Sequence, residues 1–206
     1  MAPYSININN TTDENISFVI FKKPFKAPSL DVLAWEIVSL PGSGRNTSIN
    51  IPTNYDVYID YSTNPRHRQV PNSGAKTALI PLDQQTTKFI VREEKTNDNN
   101  VAIATLNSAF TDIVGNEVHI VNQASFLVWG HILLNGQDVY PPQVIEPEKT
   151  LMEDVRSPFY LAVIDKSVEK GTVMKVEKLS SPAIEVLAGD SITITGSKQE
   201  GFNLSK

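Results

Sequence analysis

Short runs of β-branched and aromatic residues alternate with polar turns along the whole chain. Residues 55–61 (Tyr-Asp-Val-Tyr-Ile-Asp-Tyr) place every second side chain on an apolar side and lie between Pro52 and Pro65. Pairs such as Asn135-Gly136 supply the residues that tight turns need. Many such runs, spaced about 8–12 residues apart, are typical of all-β sandwiches and barrels. We therefore predict an all-β fold, an antiparallel two-sheet β-sandwich of the jelly-roll or Ig-like type.

Two segments have patterns that also suit a helix. Residues 30–38 place apolar side chains on one helical face or on one strand face, and the flanking prolines Pro28 and Pro41 favour a strand. Thr150 and Glu153 have the spacing of a capping box, which predicts at most one helical turn that ends before Pro158. We expect no more than one or two short helical turns in the whole chain.

No segment has the composition of a clear linker. The polar residues 64–76 and the proline-rich residues 140–149 are flanked on both sides by strand-like runs of the same character, so we interpret them as loops. No internal repeat of fixed period is visible. The sequence therefore predicts one β-sandwich domain over residues 1–206.

Composition excludes several classes of protein. The chain has 206 residues and a formal net charge of −5. Because it contains no cysteine, it can form no disulfide and no thiolate metal site. Its acidity argues against nucleic acid as a partner. The longest apolar runs, such as residues 18–21, are much shorter than the roughly 20 residues of a membrane span. The N-terminal residues lack the pattern of a secretory signal, so we expect a cytoplasmic protein.

The three histidines do not form a recognisable metal motif. His67 lies between two arginines, which would lower its pKa and repel a metal ion, and we interpret it as a solvated loop residue. His119 and His131 lie in strand-like runs and could share a pocket with Asp112 or Glu117, but their spacing matches no zinc pattern. We expect no metal and no cofactor; whether His119 and His131 share a site stays open.

The sequence has no recognisable catalytic motif, and a hydrolase would need two carboxylates that converge in a cleft, whereas one strand has a candidate ligand-binding face. The chain has no Gly-x-Ser-x-Gly motif, no phosphate-binding loop and no calcium loop. Asp56, Tyr58 and Asp60 follow one another at every second position and therefore share one side of a strand, where a sugar or a cation could bind. The alternative is that these three residues form only the solvent side of an amphipathic strand. Its inward residues would then be Tyr55, Val57, Ile59 and Tyr61.

The middle of the chain is depleted of positive charge. No Lys or Arg occurs between Lys95 and Lys149, and residues 125–134 are the most apolar part of the sequence. The segment of residues 96–148 could hold central strands that are buried on both faces, or a subunit interface, since interface cores lose charge and gain aromatic residues. If this segment is a subunit interface, the residues in contact with another subunit are Phe126, Val128, Trp129, Ile132 and Leu134.

Several framework segments resemble a known family. Asn9-Asn10-Thr11, Phe18-Val19-Ile20-Phe21-Lys22-Lys23-Pro24, Leu33-Ala34-Trp35 and Tyr55-Asp56-Val57-Tyr58 resemble the N-terminal half of the rhizosphere-expressed Rhi-A-type small proteins of bacteria and fungi. The last strands resemble that family in Phe159-Tyr160-Leu161-Ala162, Lys170-Gly171-Thr172-Val173-Met174 and Ser181-Pro182-Ala183-Ile184-Glu185-Val186. The family's Trp-Ser-Glu-Thr-Gly is replaced here by Asp60-Tyr61-Ser62-Thr63-Asn64, and residues 72–143 match poorly. Because the family has no established activity, the resemblance implies a small soluble intracellular β protein and transfers no catalytic residue.

Two functional hypotheses follow from these patterns. The first is a non-enzymatic structural protein that associates with itself as a homo-oligomer or filament, because no catalytic group is visible and strand edges are abundant. The second is a lectin-like carbohydrate-binding module, in which the aromatic residues Trp35, Tyr55, Tyr58 and Tyr61 would offer faces for sugars.

Overall fold

The chain folds into strands joined by turns, and a computed structural model describes residues 4–25, 31–64, 66, 69–83, 88–95, 102–109 and 117–206. The first strands are β1 (Ser5–Asn10), β2 (Ile16–Phe21), β3 (Asp31–Leu33), β4 (Glu36–Leu40) and β5 (Arg45–Asn50). The middle strands are β6 (Asn54–Tyr61), β7 (Ser73–Lys76), β8 (Ile80–Pro81), β9 (Lys88–Lys95), β10 (Ala102–Ala109), β11 (Glu117–Asn122), β12 (Val128–Leu134), β13 (Gln137–Asp138), β14 (Gln143–Ile145) and β15 (Thr150–Asp154). The last are β16 (Phe159–Ile164), β17 (Val173–Lys175), β18 (Ile184–Val186), β19 (Ser191–Ser197) and β20 (Gly201–Ser205). The predicted all-β class is confirmed.

The strands form five sheets in two compact units. Unit 1 combines Met1–Thr53 with Pro158–Lys206, and unit 2 is the continuous segment Asn54–Ser157. In unit 1 the sheets are β20-β19-β1-β5, β18-β16-β2-β4 and the two-stranded ribbon β17-β3. In unit 2 they are β10-β9-β11-β15 and a six-stranded sheet with the path β13-β12-β6-β7, in which β14 also pairs with β12 and β8 with β6. The single domain expected from the sequence stays a prediction.

The two units share most of their strand topology. β1–β5 of unit 1 correspond to β11–β15 of unit 2, and β16–β20 correspond to β6–β10. Six of the seven strand pairings of unit 1 recur between the corresponding strands of unit 2, including the parallel pair β1–β19, which matches the parallel pair β11–β9. The sequence showed no repeat, yet each unit builds two of its sheets in the same way.

The shared pairings define equivalent positions in the two units. Val19 pairs with Ala162 in unit 1, and His131, which lies 112 residues after Val19, pairs with Tyr58 in unit 2. Ile8 pairs with Ile192 in unit 1, and its counterpart Ile120 pairs with Phe89 in unit 2. A residue of one unit can therefore be compared with the residue at the equivalent position of the other.

A fully buried asparagine ends the corresponding strands β1 and β11. The Oδ1 atom of Asn10 accepts a hydrogen bond from the amide of Thr12 (3.1 Å), and its Nδ2 donates to the carbonyl of Glu14 (2.9 Å). Asn122 makes the same pair of bonds, to the amide of Ala124 (2.9 Å) and the carbonyl of Phe126 (2.8 Å). Each side chain thereby satisfies one amide and one carbonyl of the turn that follows its strand.

The units differ in what covers the central strands. In unit 1 the ribbon of β3 and β17 supplies Val32, Ala34 and Met174 to an apolar cluster with Val19 and Phe21 of β2. The same cluster includes Ala162 and Ile164 of β16. In unit 2 the corresponding strands β7 and β13 do not pair with each other; they add to the sheet beside β6 and β12. No ribbon of described strands therefore covers the equivalent face of unit 2.

The ambiguous segments of the sequence both form strands. Residues 31–33 and 36–40 form β3 and β4, which confirms the preference for strand over helix. The helical turn expected at Thr150 is wrong: β15 begins there, because Leu151 pairs with Ile120 and every second residue turns inward. One short 3₁₀ helix occurs in the described chain, at Val176–Lys178. Among the described residues no helix has the length and apolar character needed to cross a membrane.

Candidate functional site

The candidate site lies on one side of β6 and β12, the central strands of the six-stranded sheet. Alternation along β6 turns Tyr55, Val57, Ile59 and Tyr61 inward, where all four are buried, as expected for an amphipathic strand. Tyr55 and Tyr61, like the buried Trp35, therefore offer no exposed ring to a sugar, and the lectin-like hypothesis is wrong about these three residues. The opposite side carries a set of polar and aromatic residues that we call the Tyr58 face. It consists of Tyr58, Asp60, Trp129, His131 and Asp138.

Strand register brings these residues together. Tyr58 of β6 lies opposite His131 of β12, and the two ring centroids are 5.3 Å apart. Asp60 lies opposite Trp129 in the neighbouring row. Asp138 joins them through the tight hairpin between β12 and β13, whose two turn residues, Asn135 and Gly136, have positive φ (54° and 74°).

His131 lies between two carboxylates. Its Nδ1 donates to Asp138, with distances of 3.0 Å to Oδ1 and 3.2 Å to Oδ2, and its Nε2 lies 3.3 Å from Oδ2 of Asp60. The contact with Asp60 has the distance of an ion pair but not the geometry of a hydrogen bond. Burial alone would lower the pKa of His131, but the hydrogen bond and charge of Asp138, together with Asp60, outweigh it and raise this pKa. The surroundings therefore favour the imidazolium.

The ring of Tyr58 occupies space that is free because residue 74 is a glycine. A Cβ atom at Gly74, on the neighbouring strand β7, would lie 2.2 Å from the hydroxyl oxygen of Tyr58 and 2.6 Å from two of its ring carbons. Only glycine leaves room for the ring in this position. The hydrogen bond of Tyr58 with Asp60, with a smaller contribution from burial, raises the pKa of Tyr58 to about 12. The position of this half-buried ring thus depends on the glycine at position 74.

Asp56, the third residue expected in the site, is not available to a large ligand. Its side chain is 2% exposed, and Oδ2 is 2.5 Å from Nζ of Lys76. Its Oδ1 has no hydrogen-bond partner among the described residues. The structure brings Tyr58 and Asp60 to the surface together and places Asp56 beneath the surface, in an ion pair with β7.

The histidines do not meet. His119 lies in the other sheet of unit 2, where Nε2 is 2.8 Å from Oε2 of Glu117, whereas His131 has the partners given above. His67 and Asp112 fall outside the described residues. Within the described chain no group of three His, Cys, Asp or Glu side chains could hold a metal ion. Asp60 and Asp138 approach opposite nitrogens of His131, so the three cannot converge on one ion.

Most of the residues proposed for a subunit interface lie in the interior of unit 2. Val128, Ile132 and Leu134 are between 0% and 2% exposed, so they cannot form an open surface of the folded unit. Phe126 and Trp129 are half-buried, and the ring of Phe126 lies 5.7 Å from that of Tyr61. Only these two of the five leave surface for contact with another molecule, so the interface stays a prediction for them alone.

Four residues of the site were not singled out as ligand-binding from the sequence: Gly74, Trp129, His131 and Asp138. The turn at Asn135-Gly136 is the signal that could have found one of them, because a two-residue hairpin there places Asp138 beside β12 on the side of His131. Gly74 could not be found, because the pairing of β7 with β6 is not visible in the sequence. Comparison with family models, with curated proteins and with solved structures finds no match to this chain.

Proposed function

We propose that the protein is a non-enzymatic carbohydrate-binding protein and that a sugar binds at the Tyr58 face. The observation that carries the proposal is the difference between equivalent positions of the two units. Val19, Ala162 and Ile164 of unit 1 are buried beneath the β3–β17 ribbon. Their counterparts in unit 2 are His131, Tyr58 and Asp60, which are half-buried and lie under no ribbon of described strands.

This comparison separates the needs of the fold from those of function. Unit 1 shares six of its seven strand pairings with unit 2 and closes this side with small and branched apolar residues, so these pairings do not require polar groups there. Three ionisable side chains beside two half-buried aromatic rings are costly to keep ordered unless they serve a purpose. A few convergent polar groups beside aromatic side chains are a typical feature of ligand sites.

The chemistry of the Tyr58 face suits a sugar. Tyr58 and Trp129 are half-buried aromatic residues, which can contact the apolar C–H face of a sugar ring. The carboxylates of Asp60 and Asp138 accept hydrogen bonds, and sugar hydroxyls donate them. Carboxylates would repel phosphate, which agrees with the net charge of −5 in arguing against nucleic acid.

The same carboxylates are poorly arranged for hydrolysis. A glycosidase needs one carboxyl group as an acid and a second as a base or nucleophile, on either side of the glycosidic bond. Here the imidazole of His131 occupies the space between Asp60 and Asp138. We therefore propose binding without catalysis.

The experiment is a titration with a panel of neutral and charged oligosaccharides, followed by the fluorescence of Trp129 in a Trp35→Phe background. We expect at least one sugar to change the signal saturably, and Tyr58→Ala to weaken its binding at least tenfold. Tyr4→Ala removes an exposed tyrosine of unit 1 and is the matched control, for which we expect unchanged affinity. Absence of binding by the whole panel, or equal loss in both variants, would contradict the proposal.

A second candidate function is self-association through β10. This strand ends its sheet, pairs through strand hydrogen bonds only with β9 among the described strands, and contains no charged residue or proline to protect its edge. Light scattering over a range of concentrations tests this candidate, and the native chain should form discrete oligomers. Asn107→Lys should disperse these oligomers. Asn203→Lys, on the edge strand β20 of unit 1, is the control and should leave them intact. A native monomer at every concentration contradicts this candidate.

We also propose that two sheets pack face to face within unit 1, as in a sandwich. All six residues of β2 are buried, although the ribbon covers only the side of Val19 and Phe21. Phe18 and Ile20, on the other side, are 0% exposed and need a second layer. The inward isoleucines of β1 and β19 supply a suitable apolar surface. The resemblance to Rhi-A-type proteins and a cytoplasmic location stay proposals of the same kind.

A further inference from the structure

The outer side of the sheet β20-β19-β1-β5 in unit 1 has an unusual composition. Alternation turns the isoleucines of β1 and β19 inward and leaves only amide and hydroxyl side chains outside, apart from Gly201. We call these residues the Asn/Ser/Thr face. They are Asn7, Asn9, Asn46, Ser48, Asn50, Ser191, Thr193, Thr195, Ser197, Asn203 and Ser205.

An ordinary soluble surface does not look like this. Charged residues make up 20% of the whole chain, so about two of these eleven positions would carry a charge. None does. An ion pair between Lys206 and Asp190 (2.8 Å) lies just before the start of β19 and just after the end of β20, and its two charges compensate each other.

Part of this face is concave. A depression of about 610 Å³ lies over β1, β5 and β19, and its polar lining comes from Asn7, Asn9, Asn46, Thr47, Ser48, Ser191 and Thr193. The side chains of Asn9, Asn46 and Thr193 make no hydrogen bond to any other described residue. Pairing places these three in one row across the three strands, at neighbouring-strand distances of about 4.8 Å. The row therefore presents both donors and acceptors that are available to a ligand.

The equivalent sheet of unit 2 is again the internal comparison. Its outer side has Val121 at the position of Asn9, Ile90 at that of Thr193 and Lys88 at that of Ser191. The topology thus accepts apolar and charged residues at these positions. The absence of apolar and charged side chains from the outer side of the unit 1 sheet is therefore a property of this surface and not of the fold.

We propose that the depression on the Asn/Ser/Thr face is a second binding site, which takes an uncharged oligosaccharide chain. A neutral ligand with many hydroxyl groups matches a surface without charge that offers several donors and acceptors in a row. A phosphorylated or sulfated ligand would find no cation there, and an apolar ligand would leave the amide groups unsatisfied. This site is independent of the Tyr58 face, because its residues belong to unit 1.

The test follows the backbone and asparagine side-chain amides of the full chain by NMR. The probes are maltohexaose, cellohexaose, xylohexaose and chitohexaose as neutral chains, with a heparin hexasaccharide as the anionic comparison. We expect a neutral chain to shift the signals of Asn9 and Asn46, and the heparin probe not to shift them. Thr193→Val keeps the shape of the side chain and removes the hydroxyl. Combined with Asn9→Ala in one variant, it should weaken binding at least tenfold.

Two further variants make the outcomes decisive. Thr195→Val changes the same strand and the same side just outside the depression, and should leave the affinity unchanged. Tyr58→Ala should also leave these shifts unchanged, whatever it does at its own face. If no neutral probe shifts Asn9 and Asn46, or if Tyr58→Ala alone abolishes the shifts, the second site does not exist. If instead the native chain dimerises and Thr193→Lys disperses the dimer, a second copy of the chain occupies the face and the proposal is overturned.

Discussion

At the scale of single residues, the Tyr58 face depends on the absence of a side chain at Gly74. The ring of Tyr58 occupies the place that a Cβ atom of Gly74 would take. We expect Gly74→Ala to displace the ring, to cost about 1–3 kcal/mol of unfolding free energy, as overpacked sites do, and to weaken sugar binding. Denaturant unfolding and the fluorescence titration measure the two effects.

A double-mutant cycle shows whether the cost comes from this contact. In a Tyr58→Ala background the obstacle is gone, so Gly74→Ala should be close to neutral or slightly stabilising, because alanine restricts the unfolded chain more than glycine. Equal costs of Gly74→Ala in the two backgrounds would show that the backbone of β7, and not the ring, requires the glycine.

His131 should make the stability of unit 2 depend on pH. Asp138 and Asp60 raise the pKa of His131 above its ordinary value of about 6.5. A raised pKa in the folded state means that the folded chain binds the proton more tightly than the unfolded chain. The resulting stabilisation is complete below about pH 6.5 and is lost as the pH rises through the folded-state pKa.

Denaturant unfolding at pH values from 5.5 to 9 checks this expectation. The native chain should lose unfolding free energy above about pH 6.5, and His131→Gln should lose less over the same range. Asp138→Asn should lower the pKa of the His131 ring in an NMR titration. A native profile that coincides with that of His131→Gln would show that the imidazole does not titrate with folding.

At the scale of elements, the two buried asparagines hold corresponding turns. Nδ2 of Asn122 also donates to the carbonyl of Ile145 (2.9 Å), so Asn122→Ala would leave two carbonyls and one amide unsatisfied in the interior. We expect a loss of about 3 kcal/mol, the magnitude for several buried polar groups without partners. Asn107→Ala, at an exposed position of β10, is the control and should stay within about 0.5 kcal/mol of the native chain. A small loss for Asn122→Ala would mean that water replaces the side chain.

The same turns show what the sequence could and could not predict. Strand patterns identified β6 and its inward side, because alternation is a local signal. The capping-box spacing at Thr150 was misleading, since pairing of Leu151 with Ile120 decides that segment and cannot be seen locally. The equivalence of Asn10 and Asn122 was hidden because most of the other equivalent residues differ. For the same reason Asp60 was found on its own strand, while its neighbours from β7, β12 and β13 were not.

At the scale of the molecule, a shared set of strand pairings carries two different surfaces. Unit 1 buries one side of its central strands under a ribbon and offers an uncharged polar surface on its other sheet. Unit 2 places the two ribbon strands at the sides of its sheet, so no ribbon of described strands covers the Tyr58 face. The two proposed sites thus lie on different sheets of the two units, although six strand pairings agree. A repeated topology allows this, because each unit keeps the contacts that hold its own sheets together.

The arrangement of the chain allows the two units to be followed separately during unfolding. Each unit contains one of the two tryptophans. Trp35 of unit 1 is 3% exposed, and its ring centroid lies 5.1 Å from that of Phe159. Trp129 lies in unit 2. Trp35→Phe and Trp129→Phe therefore give chains whose fluorescence reports on a single unit. Because each unit has its own buried core and its own asparagine turn, we expect two different denaturation midpoints.

Asn10→Ala sharpens this experiment. It should lower the midpoint that Trp35 reports and leave the midpoint that Trp129 reports unchanged, whereas Asn122→Ala should have the opposite effect. Far-UV circular dichroism of the native chain should then show both transitions, because both units consist of strands. If each variant shifts both reporters equally, residues 1–206 unfold as one cooperative domain, as the sequence predicts, and the repeated topology is not matched by independent stability.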